Sequence, residues 1–269
     1  MAPHELTAAD WPALDVPAAR RVAEGLARRH GIGLREVFRY TYAGRGAPVA
    51  VFDVAGRDFA LVPGGAVPLG FDERGWTPSE EEMASFLGDE DALSPAAEPV
   101  RSTPYEPDFA AEDLTEIRAG LARRTTRPRV VELPSLLVAV QAEPVGERGP
   151  AEVAAALAAA GQRLPEPDEW EHAAASGART LFPWGDRFPS SANTIDPSVP
   201  NLFGLRIAHH PDEPELTADP AVVLGACPPE DGPWFETRLA HAPAYRGAVP
   251  GDRPVFVRAV LPVTLSTVD

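Results

Sequence analysis

Apolar and polar positions predict a helix, then strands, then an α/β-poor tail. Over 15–31, Val22 and Leu26 share one helical face, Asp15 can cap the start, Pro17 sits in the first turn and Gly31 supplies the stop. The pattern then becomes β-branched and aromatic over 37–42, 49–54 and 59–62. Gly44-Arg45-Gly46 and Ala55-Gly56-Arg57 are the expected turns, and Pro63-Gly64-Gly65 is the loop that ends this three-strand meander. Thr77-Pro78-Ser79-Glu80 reads as a capping box opening a helix that stops near Gly88. Residues 89–108 are acidic, carry prolines and show no period, so a long surface loop is expected. Leu114, Ile117 and Leu121 mark the next helical face. Two strands over 130–133 and 136–140 are split by Pro134, which argues for an edge or a bend. Pro150 opens a helix with Val153 and Leu157 inward and Gly161 as its stop. Arg163-Leu164-Pro165 leads to a second helix, with Pro167 in its first turn, Trp170, Ala173 and Ala174 inward, and Gly177 as terminator. Beyond 180 the chain is loop-rich until a last strand over 255–263, interrupted only by Pro262.

Composition narrows the classes of function. A chain of 269 residues makes one large domain or two ordinary ones, and its 31 prolines and 22 glycines require extensive loop. The net charge of −16 repels nucleic acid and anionic membrane surfaces, so neither is expected as a partner. All 24 basic residues are Arg; without Lys there is no Walker A lysine, Schiff base or PLP attachment. The single cysteine, Cys227, forms no internal disulfide, and no signal peptide or apolar span is visible, so a cytoplasmic location is expected. Arg20, Arg21, Arg28 and Arg29 cluster on the first helix, either as a solvated face or as a docking surface for an acidic partner.

The stretch from Gly161 to Ala174, G-Q-R-L-P-E-P-D-E-W-E-H-A-A, resembles the G-x-R-L-P-T-E-A-E-W-E-x-A-A signature of the formylglycine-generating enzyme, or sulfatase-modifying factor, family. Further similarities follow in order. They are Phe59 to Gly65 with Leu69-Gly70, Phe182-Pro183-Trp184-Gly185-Asp186, Ala192-Asn193, Asn201-Leu202-Phe203-Gly204-Leu205, and Phe256-Val257-Arg258-Ala259-Val260. The resemblance implies an α+β, C-type-lectin-like fold: a twisted antiparallel sheet, two packed helices and long loops. It divides the chain into an N-terminal helix and first strand (1–48) and a family-like domain (49–269) with an acidic insertion at about 89–125. Arg163 and Asp186 are expected to neutralise each other inside this fold.

Departures from the family redirect the functional expectation. Members that oxidise a substrate cysteine look to copper on two cysteines; Cys227 stands at the position of a family serine, and one thiolate is not a two-thiolate site. Copper is therefore not expected, and no histidine spacing matches the iron-dependent relatives. Where the family has Y-D-M-x-G-N-V-W-E-W, the chain departs from Arg206 onward, placing His209, His210, Asp212, Glu213 and Glu215 close together. That cluster is a divalent-metal site or a solvated acidic loop. Asn193 and the Thr194 carbonyl match a family position for oxygen ligands, which leaves calcium open as a cofactor. Trp184, Arg258 and Cys227 are the candidate ligand-binding residues, with two alternatives standing. Arg258 either grips a ligand carboxylate or braces the fold against an acid, and Cys227 is either a reactive thiol or a buried small residue. The expected function is a non-copper protein that binds a small molecule or a protein partner, as an accessory protein. The alternative is a metal-dependent oxidase or other enzyme of specialised metabolism on the same fold.

Overall fold

Strand alternation divides the central hydrophobic residues between two cores, one on each face of a sheet. The computed structural model describes residues 6–79, 82–83, 111–187, 199–207, 213–225, 238–246 and 255–265. Strands β1 (Gly33–Tyr42), β2 (Arg45–Val54) and β3 (Arg57–Val62) form the antiparallel meander, each longer than its apolar run. The connections are two-residue turns at Ala43-Gly44 and Ala55-Gly56, all four residues at positive φ. Such turns match the strand twist, so Arg45, Gly46 and Arg57 belong to strands and not to turns as expected.

β4 (Gly65–Leu69) pairs with β5 (Arg129–Leu133) as a separate two-stranded antiparallel sheet. β6 (Ser135–Ala139) pairs with β3 on one side and with the final strand, β11 (Val260–Val263), on the other, giving the antiparallel order β1-β2-β3-β6-β11. Pro134 thus marks a bend and not an edge, since every residue of β6 is buried. The expected last strand is broken at Arg258-Ala259 into β10 (Phe256–Val257) and β11. Pro262 lies within β11, at the sheet edge, where a missing N–H breaks no ladder. A smaller sheet joins β7 (Glu143–Pro144), β10, β8 (Glu215–Leu216) and β9 (Val223–Leu224) in that order.

Four helices are described: α1 (Val16–His30), α2 (Ala111–Arg124), α3 (Pro150–Ala159) and α4 (Pro167–Ala175). The Asp15 carboxylate accepts from the Ala18 amide at 2.7 Å and Gly31 takes the left-handed cap of α1, as expected. Phe59, Leu61 and Leu137 point into a core with Val22 and Leu26 of α1 and Val153 and Leu157 of α3. Their neighbours Ala60, Val62, Leu136 and Val138 face the opposite core, with Trp170, Ala173 and Ala174 of α4 and Phe203 and Leu205. Ile117 and Leu121 of α2 pack with Phe71, Trp76 and Phe182 in a third cluster.

Three local expectations shift. The capping box lies two residues later than expected, with the Ser79 amide donating to the Glu82 carboxylate at 2.7 Å and the Glu82 amide donating to Ser79 Oγ at 3.2 Å. The remainder of that helix, and 89–110 of the expected insertion, lie outside the described residues. The left-handed terminator of α4 is Ser176, not Gly177. The boundary drawn between 48 and 49 falls inside β2, and α1 shares its core with β3 and β6, so the N-terminal segment is built into the same unit. The class is α+β with an antiparallel main sheet. No helix among the described residues is long and apolar enough to cross a membrane.

Candidate functional site

The inner strands β3 and β6 are covered on both faces, whereas β1 at the sheet edge has a hydrophobic core on one face only among the described residues. Its Val37 packs into the core beneath α1, while Glu36, Phe38 and Tyr40 alternate onto the other face. That face carries a cleft of about 460 Å³. Phe38, Tyr40, Val49 and Val51 line it from β1 and β2; Arg57, Asp58, Ala139 and Val140 from β3, β6 and the residue after β6; Pro200, Gly204 and Arg206 from a loop.

The loop is rigid for a reason visible in its residues. Asn201 is buried, its Nδ2 donates to the Ala173 carbonyl of α4 at 2.7 Å, and its Oδ1 accepts from the amides of Phe203 and Leu205. One side chain thereby satisfies the backbone of a tight turn and ties it to α4. The Tyr40 hydroxyl donates to the Pro200 carbonyl at 2.9 Å, joining the loop to β1. Burial raises the Tyr40 pKa above the usual phenol value, which keeps that donor protonated.

Behind the cleft, Arg258 and Glu215 form a buried ion pair. Arg258 Nε and one terminal nitrogen meet the two Glu215 oxygens at 2.8 and 2.6 Å, and Trp170 Nε1 donates to the same carboxylate at 2.9 Å. The remaining donors of Arg258 reach the carbonyls of Ala139, Val140 and Arg206 at 2.6, 3.0 and 2.7 Å. These three residues line the cleft, so the guanidinium sets the spacing of its walls from within.

Charge inside the cleft is largely internally matched. Arg57 pairs with Glu143 at 2.9 Å and lies over the Phe59 ring, and Arg35, just outside, pairs with Asp58 at 2.6 Å. Glu36 and Arg206 are exposed, and their side chains make no hydrogen bond or ion pair among the described residues.

Of the ligand-binding candidates singled out from sequence, Arg258 and Trp184 are among the described residues, and neither lines the cleft. Arg258 is 1% exposed with all its donors taken, so it is not placed to grip a ligand. Trp184 stacks on Phe182 at 5.2 Å and lies 6.1 Å from the His241 ring, away from the cleft lining. Asn193, Thr194, Cys227, His209, His210 and Asp212 lie outside the described residues. Among the described residues no group of three His, Cys, Asp or Glu side chains is arranged to hold a metal. Arg163 does not meet Asp186: it grips Glu169 bidentately at 2.6 Å, six residues along the same segment, while Asp186 accepts from the Leu181 amide. Sequence distance explains the error, since Glu169 at the third position of α4 is within reach without any tertiary contact.

Two further buried groups support the fold around α4. Glu171 accepts from the Gly70 amide, Thr126 Oγ1, Arg129 and Arg246, clasping the β4–β5 pair to α4. His172 lies fully buried with Nε2 2.8 Å from the Pro63 carbonyl and Nδ1 without a partner. Burial lowers its pKa, because a proton added at Nδ1 has no acceptor. A lowered folded-state pKa means folding excludes a proton. That stability is complete above the unfolded value near 6.5 and is lost as pH falls. Stability is expected to fall between pH 7.5 and 5.5, by up to about 1.4 kcal/mol per pH unit below 6.5, and the melting temperature reads the fall. His172→Gln, which keeps an N–H donor and cannot titrate, is expected to flatten that drop; an unchanged slope would clear His172 of the effect.

The described architecture is thus an α+β protein whose edge-strand face forms an open cleft braced by a buried ion pair. No protein-family model matches the chain, and no match was found among curated proteins or solved structures.

Proposed function

We propose that this chain is a diverged relative of the formylglycine-generating enzymes, on a C-type-lectin-like scaffold, that binds a small ligand in the β1–β2 cleft as an accessory protein without copper chemistry. The observation that carries the binding reading is the cleft itself. It is concave, has an aromatic and aliphatic floor, and holds two charged side chains without a partner among the described residues. The family reading rests on the motif residues and on their use as braces. Arg163 and Glu169 secure the start of α4, Trp170 and Arg258 share Glu215, and Asn201 shapes the loop that walls the cleft. Of these signature residues, Arg258 and Asn201 hold backbone that lines the cleft, in keeping with a scaffold retained for binding. The missing cysteine pair argues against copper-dependent cysteine oxidation on this scaffold.

The test is a metabolite-sized fragment library followed by amide chemical shifts of the intact protein. Binders are expected to perturb residues 36–40, 139–141 and 204–206 together, and Phe38→Ala is expected to weaken them about tenfold, as loss of an aromatic contact does. Binders that perturb only other regions, or a library without a single binder, would refute the cleft as a binding site. Copper-dependent oxidation of a cysteine peptide by the purified protein would refute the non-copper reading.

A further inference from the structure

We infer that the ligand of this cleft is a charge-separated zwitterion, carrying a carboxylate for Arg206, an ammonium for Glu36 and an apolar body that lies along the floor of Phe38, Val49 and Val51. The inference rests on the cleft being a binding site and adds the chemistry of its occupant.

Five charged residues line the cleft. Glu143 pairs with Arg57, and Asp58 with Arg35, which also holds Asp53; among the described residues the two cleft side chains without a partner are one anion, Glu36, and one cation, Arg206. They stand on opposite walls. Glu36 belongs to the edge strand β1, whereas the Arg206 amide is bonded to the Val140 carbonyl at the end of β6, with β2 and β3 between. Adjacent strands are about 4.8 Å apart, so an occupant spans a distance that an α-amino acid does not. Phe38, on β1 beside Glu36, and Val49 and Val51 on β2 form the apolar floor. A simple anion would meet Arg206 within the field of a protein of net charge −16, whereas a zwitterion approaches without net repulsion. The fixed planar fork of a guanidinium suits a carboxylate.

Three probes of equal chain length separate the terms: 8-aminooctanoic acid, octanoic acid and octylamine, titrated into the full chain and followed by amide shifts. The zwitterion is expected to bind about tenfold or more tightly than either singly charged analogue, the worth of one charge-assisted contact. Arg206→Gln is expected to bring its affinity down to that of octylamine, and Glu36→Gln down to that of octanoic acid. Both side chains are exposed and without a partner among the described residues, so both variants should keep the wild-type melting temperature. Equal binding of all three probes, or no binding of the zwitterion, would overturn the inference. If the fragment library still finds cleft binders, the binding reading survives that outcome; if it finds none, both readings fall.

Discussion

Arg258→Met is expected to destabilise the protein by about 3–5 kcal/mol, the cost of stranding a buried carboxylate. The substitution leaves Glu215, itself 3% exposed, facing only the Trp170 indole N–H, and it removes donors from the carbonyls of Ala139, Val140 and Arg206. Urea denaturation at unchanged slope reads the loss directly as a lower midpoint. The double variant Arg258→Met with Glu215→Gln should recover part of it, because the uncompensated charge is gone while the carbonyls stay unpaired. A loss under 1 kcal/mol for the single variant would mean that water or a rearranged side chain takes over the role. Ligand affinity offers a second reading: where Arg258→Met remains folded, the cleft walls at 139–140 and 206 lose their common brace and binding should weaken, although Arg258 touches no ligand.

Gly70→Ala is the second large effect, expected at about 2–4 kcal/mol from overpacking together with backbone strain. Gly70 has φ +84, and a Cβ there would sit 2.1 Å from the Arg127 carbonyl oxygen and 2.4 Å from its carbon. The obstacle is backbone at the foot of β5, so relief requires β4 and β5 to part at this end. That movement pulls the Gly70 amide from Glu171 Oε1, now 2.7 Å away, and opens the carboxylate's arginine cage. Gly44→Ala is the matched control: φ is +74 but nothing lies within 4 Å of the added methyl, so only about 1 kcal/mol of left-handed strain applies. Equal losses for the two variants, measured by the same denaturation, would show that close packing at Gly70 contributes nothing.

The parts of this protein readable in advance are those governed by neighbours in the chain. Asp15 and Gly31 bound α1 because caps act over three or four residues, and the β-branched runs of β1 to β3 formed strands because their turns are two residues long. The failures have the same origin. Arg163 was assigned to Asp186, but a partner already stood within its own helix start at Glu169. The broken final strand was legible as one strand because nothing local distinguishes Arg258 from its neighbours; only the arrival of Glu215 and three carbonyls turns it inward. The cleft residues were missed altogether. Glu36, Phe38 and Tyr40 look like the solvated side of an ordinary amphipathic strand, and Arg206 like the first residue of a departing loop.

Local sequence determined the helices, the meander and the net charge of −16, since capping, turn chemistry and composition act without long-range contacts. Tertiary structure alone decided that β6 would be central, that Arg258 would be an interior brace, and that one face of β1 would line a cleft with Arg206. Those outcomes depend on which distant segments meet, and the burial that selects among such meetings is a property of the closed chain.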